Sequence, residues 1–267
     1  VAEVIEIDDP ADPRVDDFRD LKNADRRPDL PGRKGLVIAE GAVVVRRMLD
    51  SRFAPSGLLG VARRYTELAE DLTARDIPYY RTTAEVMAEV VGFHLNRGVL
   101  AVARRPAPLT MDEVTEHAHT VAVLEGVNDH ENLGSMFRNA AGLGAQAVLF
   151  GDRCADPLYR RSVRVSMGHA LRVPFASVPD WPNGLDTLRR KGFQIIALTP
   201  NPTAPTLASA MTGERVALLL GAEGPGLTEE AMRATDIRAR IPMSPGTDSL
   251  NVATAAAMAF YERVRIS

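Results

Sequence analysis

Through the second half of the chain, short apolar runs alternate with amphipathic stretches. TVAVLEGV, AQAVLFGD, FQIIALTP, RVALLLGAEG and IRARIPM are nearly continuous in apolar residues, the pattern of strands covered on both faces. Helical spacing separates them. In NDHENLGSMFRNA, Leu133, Met136, Phe137, Ala140 and the following Ala141 fall at i, i+3, i+4, i+7 and i+8, the apolar stripe of an amphipathic helix. Asn132, Ser135, Arg138 and Asn139 lie off that stripe. Strand and helix in turn predict an α/β fold with a parallel sheet.

A Pro-rich stretch from Arg104 to Val114, RRPAPLTMDEV, separates this region from a smaller one. There GLVIAEGAVVVRRML reads as a strand entering a helix, and SGLLGVARRY, DIPYYRTT and RGVLAVARR add strand-like runs. Two domains are expected, 1–108 and 109–267, the first a small α/β unit. The N-terminal stretch carrying Asp8, Asp9, Asp12, Asp16 and Asp17 is expected to be partly disordered. GLGAQA at 142–147 imitates a dinucleotide fingerprint, but it leaves a helix and enters a strand, the reverse of the order needed, and lacks the third glycine.

Composition narrows the classes. No run of about eighteen apolar residues exists, so no membrane span is expected. Cys154 is the single cysteine, and no Cys/His spacing suggests a metal site. The acidic N-terminus lacks a basic-then-apolar signal pattern, which makes the cytoplasm the expected compartment. Net charge is −3, not that of a general nucleic-acid binder, yet residues 14–64 hold twelve Lys/Arg against seven Asp/Glu and 153–172 five Arg against one Asp. Two readings stay open at this level: phosphate-facing patches, or solvated faces in an arginine- and alanine-rich chain.

Two segments sit where strands end, and ligands in open parallel sheets bind there. In LLLGAEGPGLTEE, Gly221, Gly224 and Gly226 follow a strand and Thr228 can cap the next helix; Leu227 stands where a phosphate loop would need lysine. Glu223 is a carboxylate among these glycines. In RIPMSPGTDSLNVATAAAMAFYERV, a Pro/Gly loop leads into a helix. Capping alone accounts for Asp248 or Ser249 but leaves Asn251 unexplained. Val252, Ala253, Ala255, Ala256, Ala257, Met258 and Phe260 surround most of that helix, so it should be deeply packed, against a second subunit in one reading.

Taken in order, NDHENLGSMFRNA, LLLGAEGPGL and IPMSPGTDSLNVATAAA resemble the three motifs of the SpoU–TrmH family of RNA 2′-O-ribose methyltransferases, in the SPOUT superfamily. DPLYRRSVRVSMGHALRVPF between them is also similar, and KGLVIAEGAVVVRRML resembles the ribosomal-protein-L30-type substrate domain often attached to such enzymes. The resemblance implies a sheet whose C-terminal segment threads a trefoil knot, a homodimer through the catalytic domain, and S-adenosyl-L-methionine as cofactor. It places Thr199, Gly221, Ile241 and Leu250 at the cofactor, and Asn132, Arg138, Glu223, Ser249 and Asn251 in catalysis. One departure shows: many members have glycine where Pro245 stands, while Gly246 comes one place later here.

The chemistry implied is attack of a weakly acidic ribose hydroxyl on a sulfonium methyl. Arginine stays protonated in proteins, so Arg138 is read as a cation that grips a neighbouring phosphate and lowers the pKa of the hydroxyl, with the other four residues orienting it. Arg160, Arg161, Arg164, Arg172 and His169 are the expected RNA strip of the catalytic domain, with Arg26, Arg27, Arg46 and Arg47 a second. The expected substrate is structured RNA, 23S ribosomal RNA ahead of transfer RNA, and a role in antibiotic resistance is within the family's range. The competing reading is a non-catalytic RNA-binding or ribosome-assembly factor of the same fold; a nucleotide-dependent oxidoreductase fails for want of a glycine-rich turn in the right place.

Overall fold

The computed structural model describes residues 3–21, 35–247 and 249–266. The chain divides into two units, one built from residues up to Ala107 with Pro157–Arg172, the other from Pro108–Asp156 with Val173 onward.

The first unit holds a five-stranded mixed sheet of β1 (Val4–Glu6), β2 (Leu36–Glu40), β3 (Pro55–Gly60), β4 (Tyr79–Arg81) and β5 (Val99–Arg104), ordered β1-β4-β3-β5-β2. Helices α1 (Ala42–Leu49), α2 (Ala62–Leu72) and α3 (Ala84–Val91) connect the strands. The acidic N-terminus is ordered, contrary to expectation. β1 adds in parallel to β4, and Asp12 caps a 3-10 turn over Pro13–Phe18. That turn buries Val15 and Phe18 beside Ile7 and Leu21 in the core. Each such side chain is worth about 1.5–3 kcal/mol on burial, enough to hold an acidic segment in which Asp12 and Asp16 are paired with Arg14 and Arg19.

The 157–172 segment departs from the expected single division near residue 108. Its helix α6 (Arg160–Val165) packs on the first unit for three reasons. Arg160 pairs with the buried Glu40 at 2.9 Å, and its guanidinium lies 4.9 Å from the Phe93 ring centroid. Arg47 donates to the Met167 carbonyl. Gly168, at φ +84°, lets the backbone lie so close to α1 that a Cβ there would sit 3.1 Å from Val44.

The second unit is a six-stranded, wholly parallel sheet: β6 (Thr120–Glu125), β7 (Ala147–Phe150), β8 (Phe175–Ser177), β9 (Phe193–Leu198), β10 (Arg215–Gly221) and β11 (Ile237–Ala239), ordered β11-β9-β10-β6-β7-β8. The five apolar runs read from the sequence are five of these strands; β8 was not foreseen, because its three residues lie between Pro174 and Pro179 with no longer apolar run around them. All six residues of β6 are buried, as two-sided covering requires. The covering helices are α4 (Met111–Thr115), α5 (His130–Leu143), α7 (Leu185–Arg190), α8 (Leu207–Ala210), α9 (Glu229–Arg233) and α10 (Val252–Ile266). The order matters for function. From β6 the chain steps outward to β7 and β8, then crosses to β9 and returns so that β10 lies between β9 and β6. That reversal opens a crevice at the carboxyl ends of the strands.

The two helices beside the crevice differ in detail from expectation. α5 buries Leu133, Gly134, Met136, Phe137 and Ala140, while Ala141 is exposed, so its stripe is one residue narrower. α10 is not enclosed all round. Val252, Ala253, Ala256, Ala259 and Phe260 are buried, but Met258 and Tyr261 are 42% and 58% exposed, so a second apolar face is left without cover inside the chain.

Candidate active site

Loops at the ends of β9, β10 and β11 enclose a cavity of about 210 Å³. Thr199, Gly221, Ile241 and Leu250 all line it, as do Glu223 and Ser249; Leu198, Leu220, Leu227 and Met243 supply apolar walls. Six positions singled out from the sequence, spread over fifty residues, therefore meet in one place.

Gly221 shapes the cavity. A Cβ on it would lie 2.2 Å from the Leu227 amide nitrogen and 2.4 Å from the Gly226 carbonyl carbon, so only glycine lets the loop fold back on the strand end. The return is fastened where the Gly226 N–H donates to the Ala222 carbonyl at 3.0 Å. Gly224 and Gly226, at φ +82° and +70°, take the left-handed conformations of the turn.

Asn251 links three segments. Its Oδ1 accepts from the backbone N–H groups of Ala253 at 3.0 Å and Thr254 at 3.1 Å, so Asn251 is itself the cap of α10, the task expected of Asp248 or Ser249. Asp248 lies outside the described residues. With Oδ1 fixed toward two donors, Nδ2 must face acceptors. It donates to Asn132 Oδ1 at 2.8 Å and to Glu223 Oε1. Asn132 can serve because it is not a cap. Asp129 caps α5, accepting from the amides of Glu131 at 3.0 Å and Asn132 at 2.8 Å, which leaves the Asn132 side chain to the site.

Arg138 is exposed. Six residues beyond Asn132, it stands about 9 Å further along α5 and about 120° around it, so the helix does not aim both side chains at one point. Beside it, Asn139 donates to the Ala253 carbonyl at 2.9 Å, fixing α5 to the first turn of α10. Sequence pattern placed Asn139 off the apolar stripe but gave it no task. It also passed over Glu125, a buried carboxylate closing the apolar strand β6; its signal was present, since a carboxylate ending such a run must find partners. Cys154 is part-buried and its thiol donates to the Leu124 carbonyl at 3.3 Å; burial pushes its pKa up. Among the described residues no cluster of three or more His, Cys, Asp or Glu could hold a metal, and no helix is long and apolar enough to cross a membrane.

The 157–172 part of the expected RNA strip belongs to the first unit, although it was expected in the catalytic domain. Arg160 is held by Glu40, and Arg46 is held by Asp71 at 2.9 Å and the Glu67 carbonyl at 2.8 Å. Arg47 donates to the Met167 carbonyl. Arg161 and Arg172 are exposed, and Arg164 and His169 half-buried. Arg26 and Arg27 lie outside the described residues.

Comparison with known proteins gives the family. A Mycobacterium tuberculosis protein described as an uncharacterized tRNA/rRNA methyltransferase is 63% identical over 98% of this chain and 92% of its own length. A 23S rRNA (guanosine-2′-O-)-methyltransferase from Burkholderia is 30% identical over 76% of this chain and 82% of that protein. Among solved structures, the AdoMet-bound rRNA methyltransferase of Sinorhizobium meliloti superposes with a TM-score of 0.80 at 25% identity, covering 98% of each chain. Residues 119–261 match the SpoU rRNA Methylase family over more than half of the sequence, so the chain belongs to that family.

Proposed function

We propose that this protein transfers a methyl group from S-adenosylmethionine to a ribose 2′-hydroxyl of structured RNA, with 23S ribosomal RNA as the substrate. The observation that carries the reading is the cavity at the strand ends with Asn251 tying Asn132 and Glu223 beside it. The cavity suits the methyl donor. Its apolar walls can take a purine face and a thioether chain, and the glycines at 221, 224 and 226 offer backbone polar groups with no side chain in the way. Thr199, Gly221, Ile241 and Leu250 would hold the donor, which when bound supplies an electrophilic methyl on a good, neutral leaving group.

The remaining work falls to the chain. Asn251 fixes the Glu223 carboxylate and the Asn132 amide relative to each other, and these groups with Ser249 orient the ribose for in-line attack. Arg138, exposed and about 120° around α5 from Asn132, does not share the ribose with it; it grips the phosphate next to the target nucleotide, and its charge lowers the pKa of the 2′-hydroxyl. Arg161, Arg164, Arg172 and His169, carried on the first unit with Arg46 and Arg47 nearby in the same unit, contact RNA phosphates, the first unit acting as a ribosomal-protein-L30-type substrate domain.

Two further features belong to this reading. The C-terminal segment threads a trefoil knot; in support, the segment after β11 is bridged to the loop after β9, where the Arg240 N–H donates to the Pro205 carbonyl at 2.9 Å and the Leu207 N–H to the Arg240 carbonyl at 2.8 Å. The protein works as a homodimer through the second unit, because Met258, Tyr261 and Val264 form an exposed apolar stripe on α10.

Single-turnover methyl transfer to ribosomal RNA with labelled donor tests the reading. Arg138→Ala should lower turnover at least about 100-fold, a barrier increase of about 2.7 kcal/mol, while donor binding by calorimetry is kept. Loss of donor binding in parallel would make Arg138 structural, and absence of transfer by the wild-type chain would favour a binding factor.

A further inference from the structure

Glu125 ends β6 and is 2% exposed. Three donors converge on its carboxylate: the Trp181 indole N–H at 2.8 Å and the Thr228 hydroxyl at 2.9 Å on Oε1, and the Thr228 backbone N–H at 2.8 Å on Oε2. The Thr228 hydroxyl in turn accepts from the Ala231 N–H at 3.2 Å, capping α9. Glu125 also pairs in register with Gly221 on the neighbouring strand. Gly221 and Thr228 are the two ends of the loop Ala222–Leu227 that lines the cavity. One residue thus fixes both ends, the first through its backbone and the second through its carboxylate. On the far side, Trp181 lies so close to Gly151 that a Cβ there would be 2.6 Å from the ring, and it packs against the core of the sheet.

We infer that Glu125 is a positioning residue for the methyl-donor loop, clamping Ala222–Leu227 at both ends and linking it to Trp181. The inference rests on the function proposed above. A carboxylate is the group required, because every partner is a donor and an ionised carboxyl only accepts. A glutamine would turn an N–H₂ toward those donors and would lose charge assistance at the bonds it kept. Glu125 does not line the cavity, whereas Ala222–Leu227 do, so its effect on donor binding passes through the loop. Trp181 is the single tryptophan of the chain, so its emission reports the clamp directly.

Steady-state methyl transfer and calorimetry on the full chain test this with Glu125→Gln, Thr228→Ser and Thr228→Val. Glu125→Gln should raise KM and Kd for S-adenosylmethionine about tenfold, the effect of losing a hydrogen bond to a buried charge, with KM for RNA within about twofold. The Trp181 emission should move to longer wavelength. Thr228→Ser, which keeps the hydroxyl, should match the wild type, and Thr228→Val should resemble Glu125→Gln. A Glu125→Gln variant with native circular dichroism and unchanged donor affinity overturns the inference, as does equal behaviour of the Ser and Val variants. If Glu125→Gln does not fold, the Ser and Val pair decides. Failure of the wild-type chain to bind S-adenosylmethionine overturns the methyl-transfer reading itself, a result distinct from a wild type that binds while the variants bind equally well.

Discussion

Replacing Gly221 by alanine is the most direct probe of the cavity. The added methyl would sit 2.2 Å from the Leu227 nitrogen and 2.4 Å from the Gly226 carbonyl carbon. Both are backbone atoms, so no side chain can swing aside. Restoring ordinary contact at about 3.4 Å requires the loop to move by about 1.2 Å. The loop is fastened at its two ends, so the displacement must break the Gly226-to-Ala222 hydrogen bond or bend the end of β10. Overpacking of this kind costs about 1–3 kcal/mol, a fall in Tm of roughly 2–12 °C for a domain of this size. If the strain of about 1–3 kcal/mol falls on the donor-bound loop, Kd for S-adenosylmethionine should rise by about one to two decades, and turnover should fall on the order of 100-fold from a displacement of about 1 Å. Gly224→Ala is the matched control. A Cβ at Gly224 would meet no atom within 4 Å, and only its φ of +82° resists the substitution, a cost of about 1 kcal/mol with a much smaller effect on binding. Calorimetry and thermal melts on the two variants separate the terms. A Gly221→Ala protein that binds the donor as tightly as wild type would refute the reasoning, since the cavity could not then depend on that approach.

Other substitutions test the remaining contacts. Asn251→Asp keeps the acceptor that caps α10 but removes both donations and sets a second carboxylate against Glu223; turnover should fall at least about tenfold while Tm changes by only a few degrees, and equal activity would detach Asn251 from the site. Arg164→Gln and Arg172→Gln should each lower the slope of log affinity for RNA against log salt by about 1, as read in filter binding. Arg160→Ala should leave that slope unchanged and instead destabilise the first unit by roughly 1.5–3 kcal/mol, because its guanidinium is spent on Glu40. Burial raises the Cys154 pKa, so the folded thiol stays protonated where an unfolded one has begun to ionise. Alkylation by iodoacetamide near pH 8.5 should be at least several-fold slower in the native protein than in urea. The same shift means that any stability tied to this group is complete below the unfolded pKa and is lost as pH rises through the folded one.

The amino-acid sequence alone determined the parallel sheet, because β6, β7, β9 and β10, buried along nearly their whole length, leave nearly continuous apolar runs that no other element explains as simply. It also marked the strand-end loops, since glycines 221, 224 and 226 and the polar residues at 249 and 251 break those patterns at the places where ligands bind. What it could not decide was which partner each polar group takes. Asp129 and Asn251 are both good caps on propensity, as are Asp248 and Ser249; only the packing of α5 against α10 makes Asn251 the cap whose amide also reaches Asn132 and Glu223. The 157–172 arginines carry no local mark of the unit they join, because that choice is made by Glu40 and Phe93, more than sixty residues away in the sequence. Glu125 was visible as a misplaced charge, but its three donors come from segments 56 and 103 residues distant. Periodicity is a property of neighbours along the chain and survives in one dimension; hydrogen-bond choice is a property of neighbours in space, and the fold alone supplies them.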